Sequence, residues 1–324
     1  MRDVTLLCTG RQKYKGNIHA HSVRSDGMYT VEQMIAAYRS KSYDFMCLSD
    51  HEIYFHSDEY DTETFIMLDG YEMACNMERD TTGQQYHLHG LLDRSRKVEK
   101  PFQHDEEHEK PDYENLDTIQ QLIDEMRSKG NLVIMNHPEW SKNREEDLLQ
   151  LEGYAAIEIY NHQSEIQEAV GYGVSYWDYV LKRGKQVNAI AADDAHGGPT
   201  DMAVSEFYGG WIVVEADQLE QQAIIEAIKA GQYYSSNGPM IHELCIKNDR
   251  LQVTCSPVRS IRFITFPNNG LAEMDPTGEN ITEAEYPIQN NEQYVRVECV
   301  DASGKVAWSN PIYPKSERNL LEEL

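Results

Sequence analysis

No apolar run in the 324-residue sequence approaches the ~20 residues that a membrane-crossing helix needs, which speaks against a membrane partner. The first sixteen residues, MRDVTLLCTGRQKYKG, hold only the short run VTLLC. They lack the apolar region and cleavage site of a secretory signal, so the expected location is cytoplasmic. None of the six cysteines, at 8, 47, 75, 245, 255 and 299, belongs to a C-x-x-C pair, which argues against a zinc knuckle or a thioredoxin-like motif. Cys47 lies in an apolar run and reads as a small core residue. Cys245, Cys255 and Cys299 fall in C-terminal strands; a pair among them stays open, with a reducing compartment as the expectation. Positive charge is scarce, 29 Lys+Arg against 55 Asp+Glu for a net −26. Such a surface repels polyphosphate backbones and disfavours nucleic acid. It does not exclude a small anionic substrate, because bound divalent cations reverse the sign locally. Internal repeats and low-complexity segments are missing as well.

Hydrophobic residues make up 40% and charged residues 26%, the balance of a globular domain with an ordinary core. From residue 16 to about 230 short apolar runs alternate with helical patterns. The expected strands are Asn17–His21, Asp44–Ser49, Phe65–Tyr71, Tyr86–Leu91, Leu132–Asn136, Ala155–Tyr160, Gln186–Ala192 and Gly210–Glu215. The expected helices are Val31–Ser40, Leu116–Lys129, Arg144–Leu151, Ser164–Lys182 and Leu219–Ala230, with Gly130, Gly184 and Gly231 at their C-terminal stops. This alternation predicts βα units around a mostly parallel, barrel-like sheet. Lys97–Asn115 reads as a solvated insertion, and His56, His104 and His108 as solvated loop residues. After Asn237-Gly238-Pro239 only short strand-like runs remain, which predicts a small all-β module, a sandwich, over 239–324 behind a domain at 1–238.

Histidine is abundant, with 12 copies, and its placement carries the functional signal. His19 and His21 end the first strand at i and i+2, so both point to one face. Asp26 follows in Ser-Asp-Gly; the next strands end in Ser-Asp-His-Glu (49–52) and Tyr-Glu (71–72); His87 and His89 form a second i, i+2 pair; His137 stands in Asn-His-Pro; His162 follows Glu158-Ile159-Tyr160-Asn161; and Asp193-Asp194-Ala195-His196 closes the series. Any one of these residues has an ordinary structural reading, such as a turn aspartate, a helix cap or a core histidine. Seven consecutive strands that each bring His, Asp or Glu to the same end are hard to explain that way. Barrel enzymes gather their chemistry at the C-terminal ends of the strands, and a set this rich in His and carboxylate suits Zn, Mn or Fe. The set is too large for one ion, and Glu72 is a candidate bridge.

Taken in order, His-Ala-His with Ser-Asp-Gly, Ser-Asp-His-Glu, Tyr-Glu-Met, Tyr-His-Leu-His, Asn-His-Pro and Asp-Asp-Ala-His-Gly resemble the PHP (polymerase and histidinol phosphatase) family of metal-dependent phosphoesterases. Trp177-Asp178, Gly-Gly-Trp-Ile-Val-Val (209–214) and Ala307-Trp308-Ser309-Asn310-Pro311 resemble the subgroup related to carbaryl hydrolase. The resemblance implies a distorted (β/α)7 barrel with a trinuclear site holding two or three divalent ions (Mn, Zn or Fe). One ion would take His19, His21, Glu72 and Asp194; a second Glu72, His87 and His137, with His87 preferred over His89; a third Asp26, His51 and His196. The implied activity is hydrolysis of a small phosphate ester by a hydroxide between two metals. Asp194 would orient or deprotonate the water, His162 would serve as acid or substrate contact, and Arg24 would clamp phosphate. Three other readings stay open: an ester or carbamate hydrolase on the same site, a nuclease or proofreading module, and a non-catalytic metal-binding protein. The β module would pack on the barrel or form an oligomer contact.

Overall fold

The structure, a computed structural model, describes residues 4–8, 10–56, 58–76, 83–198, 205–278, 280–289 and 291–314. Its elements run β1 (Val4–Leu7), β2 (Lys13–Asn17), α1 (Val31–Arg39), β3 (Phe45–Cys47), β4 (Ile66–Leu68), β5 (Gly70–Ala74), β6 (His87–Leu92), α2 (Leu116–Ser128), β7 (Asn131–Met135), α3 (Glu145–Gln150), β8 (Tyr154–Asn161), α4 (His162–Glu168), α5 (Val174–Lys182), β9 (Asn188–Ala192), β10 (Trp211–Glu215), α6 (Gln221–Lys229) and β11 (Tyr233–Ser236). Local chemistry sets several of these ends. Thr30 and Gln33 form a reciprocal capping box at the start of α1, and Asn115 caps α2. Gly130, Gly184 and Gly231 hold the left-handed φ expected just past a helix. The single helix expected over 164–182 is two helices instead. Ala169 turns left-handed at the end of α4, and Gly171 lies so close to the Asn161 carbonyl that a side chain there would collide with it.

The strand expected over 65–71 also divides. It breaks at the buried Asp69, whose carboxylate takes up His56, Arg94 and Gln221. Its first half, β4, pairs in parallel with β3, and β3 with β2. Its second half starts another sheet, β5-β6-β7-β8-β9. Within that sheet β6 runs antiparallel to both neighbours. β9 approaches β2 again through an isolated bridge from Ala195 to Ala20, but no ladder among the described residues closes the strands into a barrel. The fold is therefore a mixed α/β arrangement with many strands and few helices, and the expected (β/α)7 barrel is not found in the ladders. Alternation along β3 and β4 divides their side chains between two cores: Met46 and Met67 share one with Met34, Ile35 and Tyr38 of α1, whereas Cys47, Ile66 and Leu68 join Ile134, Ala156 and Ile190 in the other.

The remaining strands are β12 (Ile241–Lys247), β13 (Arg250–Val258), β14 (Ser260–Phe266), β15 (Leu271–Met274), β16 (Ile281–Pro287), β17 (Tyr294–Val300) and β18 (Val306–Ser309). They lie on two sheets around one core containing Leu244, Val253, Phe263 and Val297, a sandwich in layout. One sheet is β1-β12-β13-β16, and the other continues from β15-β14-β17-β18 through β11 and β10 to β2, β3 and β4. The strand at residues 4–7 thus pairs with the C-terminal module, and a single nine-stranded sheet crosses residue 238. All six cysteines are free thiols. No helix among the described residues is long and apolar enough to cross a membrane.

Segment 97–115 is largely exposed, as expected, but one buried residue anchors it. Phe102 is buried against Tyr54 and Tyr71. His108 stacks edge-on to Phe102, with 4.3 Å between ring centres, and its amide donates to the Glu52 carbonyl. The segment's charged residues hid one buried aromatic and a set of backbone hydrogen bonds.

Candidate metal centre

His19 and His21 lie just beyond β2, on chain held by hydrogen bonds from Asp194 N–H to the His19 carbonyl and from His21 N–H to the Ala195 carbonyl. Their spacing puts both rings on one face, 5.3 Å apart between centres. His51 follows β3, Glu72 stands in β5, His137 follows β7, and Asp194 and His196 follow β9. His87 is the first residue of β6. Because β6 is antiparallel, its beginning lies at the end where its neighbours finish, which corrects the expectation that every ligand closes its strand. Two of these residues have left-handed backbone, His137 at φ 26° and Asp194 at φ 57°, a conformation that non-glycine residues adopt rarely and mostly at functional sites.

Glu72, 1% exposed, is the hub. Its Oε2 lies 3.4 Å from His19 Nε2, 3.4 Å from His21 Nε2 and 3.2 Å from His51 Nδ1. Its Oε1 lies 3.3 Å from both His87 Nδ1 and His137 Nε2, and Asn136 donates to it. Asp194 Oδ1 is 3.1 Å from both His19 Nε2 and His21 Nε2; its Oδ2 accepts from Asn161. Asp26 spans His21, His51 and His196 at 3.5–3.6 Å. Among the described residues no Lys or Arg pairs with Asp26, Glu72 or Asp194. Buried carboxylates without a cation are costly, so the imidazoles and whatever they bind must supply the counter-charge.

The protonation pattern follows from this geometry. Burial opposes charge on Glu72 and Asp194, yet the surrounding histidines hold both well below the usual carboxylate range. The same carboxylates overcome the burial of His21 and push it up to about 10; His19 is raised for the same reason. Burial dominates at His51, which falls to about 4. Several inward atoms lack a hydrogen-bond partner although buried: His19 Nε2, His21 Nδ1 and Nε2, His51 Nδ1, His87 Nδ1, Glu72 Oε2 and Asp194 Oδ1. Orphaned donors and acceptors of this kind call for an explanation, an ion among them. Four groups have ligand atoms within 4.8 Å of one another and could hold a metal: His21, Asp26, His51 and His196; His19, His21 and Glu72; His19, His137 and Asp194; His51, Glu72 and His87. All nine sequence candidates occur in these groups. His137 falls with His19 and Asp194 rather than with His87. His89, in none of the groups, is buried beside His19, and burial lowers it to about 3.

Two other candidates sit apart from this cluster. Arg24 donates to Asp50 and the Tyr54 carbonyl and pairs with Asp105. His162 has both ring nitrogens engaged, by Tyr160 Oη at 3.0 Å and the Ser205 carbonyl at 2.9 Å. Sequence reasoning passed over the residues that hold the candidate ligands in place. The fully buried Asp50 accepts from Ser22 N–H, Ser22 Oγ and Ser25 Oγ and so fixes the loop that carries Asp26. Asp50→Ala is expected to destabilise the protein by about 3 kcal/mol, because it leaves the buried Ser22 N–H and hydroxyl donors without an acceptor and takes from Arg24 one of its two carboxylates. Denaturant unfolding measures this, and a loss under about 0.5 kcal/mol, the ordinary surface range, would refute it. Asp193 accepts from the amides of Tyr208, Gly209 and Gly210 and from Tyr38 Oη, so the two adjacent aspartates divide between structure and site. Glu158 and Asn161 were visible only as a charge and an amide inside an apolar strand.

No protein-family model matches the sequence, and no curated protein does. Among solved structures, the chain is similar to a two-domain protein from Bacteroides vulgatus ATCC 8482 containing a predicted PHP-like metal-dependent phosphoesterase. The identity is 14%, the match covers 94% of this chain and 96% of that one, and the TM-score is 0.45. It is also similar to an amidohydrolase from Chromobacterium violaceum with bound sulfate and no metal, at 13% identity, 58% and 90% coverage and a TM-score of 0.39. Likeness at this level assigns neither fold nor activity to this chain, and neither structure bears on the narrower resemblance to carbaryl hydrolase.

Proposed function

We propose that the chain is a hydrolase that holds two or three divalent cations, Mn, Zn or Fe, and cleaves a small phosphate ester. The observation that carries this reading is the division of Glu72, whose two oxygens face separate sets of imidazoles and could each serve a different ion. His19, His21 and Asp194 would complete one ion's ligands, His87 and His137 those of a second, and Asp26, His51 and His196 those of a third. Such ions, when bound, acidify water and offset the charge that develops on phosphoryl oxygens.

The chain's own residues supply access and orientation. Exposure falls from 54% for the Asp26 side chain, through 22% for His196 and 18% for His51, to 1% for His19 and Glu72. Substrate would therefore enter over Asp26, His196 and His51. Asp194, fixed by Asn161, would orient the attacking water. The net charge of −26 favours a small anion over a nucleic acid.

A second reading has its own support. Arg24 is the one guanidinium suggested as a phosphate clamp, and it is spent on Asp50 and Asp105. That suits a neutral ester or carbamate. The test is a panel of aryl phosphates, aryl carboxylic esters and aryl carbamates assayed with Mn-, Zn- and Fe-loaded protein. Aryl phosphate turnover is the expected result. Ester or carbamate turnover without phosphate turnover would replace the first reading with the second, and bound metal with no turnover of any ester would leave a metal-binding protein.

A further inference from the structure

We infer that Glu158 is the positioning residue of the centre: it sets the tautomer of His19 and seats the backbone of His137. The inference rests on reading those two histidines as ligands.

A glutamate is out of place where Glu158 stands. It lies in β8 between Ile157 and Ile159, which are core residues, and it is 1% exposed. The β8–β9 register shifts between Glu158 and Tyr160, the kind of bulge that re-aims a side chain next to a site. Both carboxylate oxygens are used. Oε1 lies 3.0 Å from His19 Nδ1; Oε2 accepts from His137 N–H at 2.8 Å and from Asn161 Nδ2 at 3.1 Å. No Lys or Arg pairs with Glu158 among the described residues.

Each contact bears on the centre. An ionised carboxylate at Nδ1 makes the neutral His19 ring carry its proton there, which leaves the Nε2 lone pair for the site, where Glu72 Oε2 and Asp194 Oδ1 lie. The bond to His137 N–H fastens a residue whose φ of 26° costs energy to maintain. Asn161 Nδ2 is shared between Glu158 Oε2 and Asp194 Oδ2, so the orientation of a third ligand depends on the same carboxylate.

Glutamine would not reproduce this, although it has the same shape. The His137 amide and the Asn161 amide nitrogen can only donate, so the single oxygen of glutamine must turn to them. Its NH2 then faces His19 Nδ1, which must accept. That forces the neutral ring into the Nε2–H tautomer, protonated at the atom meant to bind. Glu158→Gln is expected to lower Zn affinity by about 10–100-fold, the usual cost of losing such a partner. Long-range 15N–1H spectra of the metal-free variant in alkaline solution should show His19 protonated at Nε2, with His21 unchanged.

Zn titration of wild-type and variant protein, read alongside those spectra, decides. Equal Zn affinity overturns the inference, and so does weaker Zn binding with His19 still protonated at Nδ1, which would mean a merely structural role. Wild-type protein that takes up none of Zn, Mn and Fe would sink the metal reading and this inference together, whereas wild-type uptake matched by Glu158→Gln sinks this inference alone. Should Glu158→Gln fail to fold, Glu158→Asp keeps the charge but withdraws it from His19. It is expected to bind Zn more weakly than wild type, and full affinity would again overturn the inference.

Discussion

Glu72→Gln is expected to cost more than about 100-fold in cation affinity, beyond what losing an outer partner of a ligand costs, and to abolish hydrolysis with it. The glutamate touches five imidazoles through two oxygens, His19, His21 and His51 on one side and His87 and His137 on the other. Glutamine keeps one oxygen and replaces the other with an NH2 group, which donates and cannot bind a cation. Whichever way the amide turns, one set of imidazoles loses its carboxylate. Either way the negative charge that both sets share is gone, so the loss should spread over more than one ion, unlike Asp26→Asn, which touches only the group of His21, His51 and His196. Elemental analysis of purified Glu72→Gln, with circular dichroism to establish folding, measures the effect. A folded variant with wild-type metal content would remove Glu72 from the centre.

Much of this cluster could be read from the sequence because most of its side chains lie in or just beyond strands, and strands are marked by hydrophobic pattern. The i, i+2 spacing of His19 and His21 and the carboxylate of Glu72 inside an apolar run needed nothing beyond strand geometry. The direction of β6 was less accessible. Periodicity identifies a strand but not which way it runs, and only the pairing with β5 and β7 places His87 at the correct end. The break at Asp69 was hidden for a similar reason, since an aspartate between apolar residues becomes a strand end only when Arg94 and Gln221 reach it from elsewhere in the chain. Phe102 illustrates the opposite error. One buried aromatic anchors segment 97–115, while composition averaged over the segment reports only charge. Arg24, in Ser22-Val23-Arg24-Ser25, read as a phosphate clamp, yet long-range partners at Asp50 and Asp105 claim it.

Chelation of the cations is expected to lower the melting temperature by roughly 10 °C or more, and the gap should widen from pH 6 to pH 9. Occupancy at 100 times Kd stabilises a protein by about 2.7 kcal/mol per site, and a large domain gains roughly 2–4 °C per kcal/mol. The pH dependence follows from His19 and His21. In the metal-free protein burial disfavours their charged forms, but Asp194 and Glu72 raise both, His21 from 6.5 to about 10. Groups raised on folding stabilise fully below their unfolded value and lose that contribution as pH climbs through the folded one. The metal-free protein should thus weaken between about pH 6.5 and 10. Cation binding requires the same rings to be unprotonated, so it competes with protons at low pH and strengthens as they leave. His51, already lowered to about 4, adds nothing to this trend. Cation addition to weakly buffered protein at pH 7 should accordingly release protons. Thermal melts with and without chelator across this range, paired with that titration, test the argument. A gap that stays flat or narrows toward pH 9 would mean that His19 and His21 are not where the cations bind.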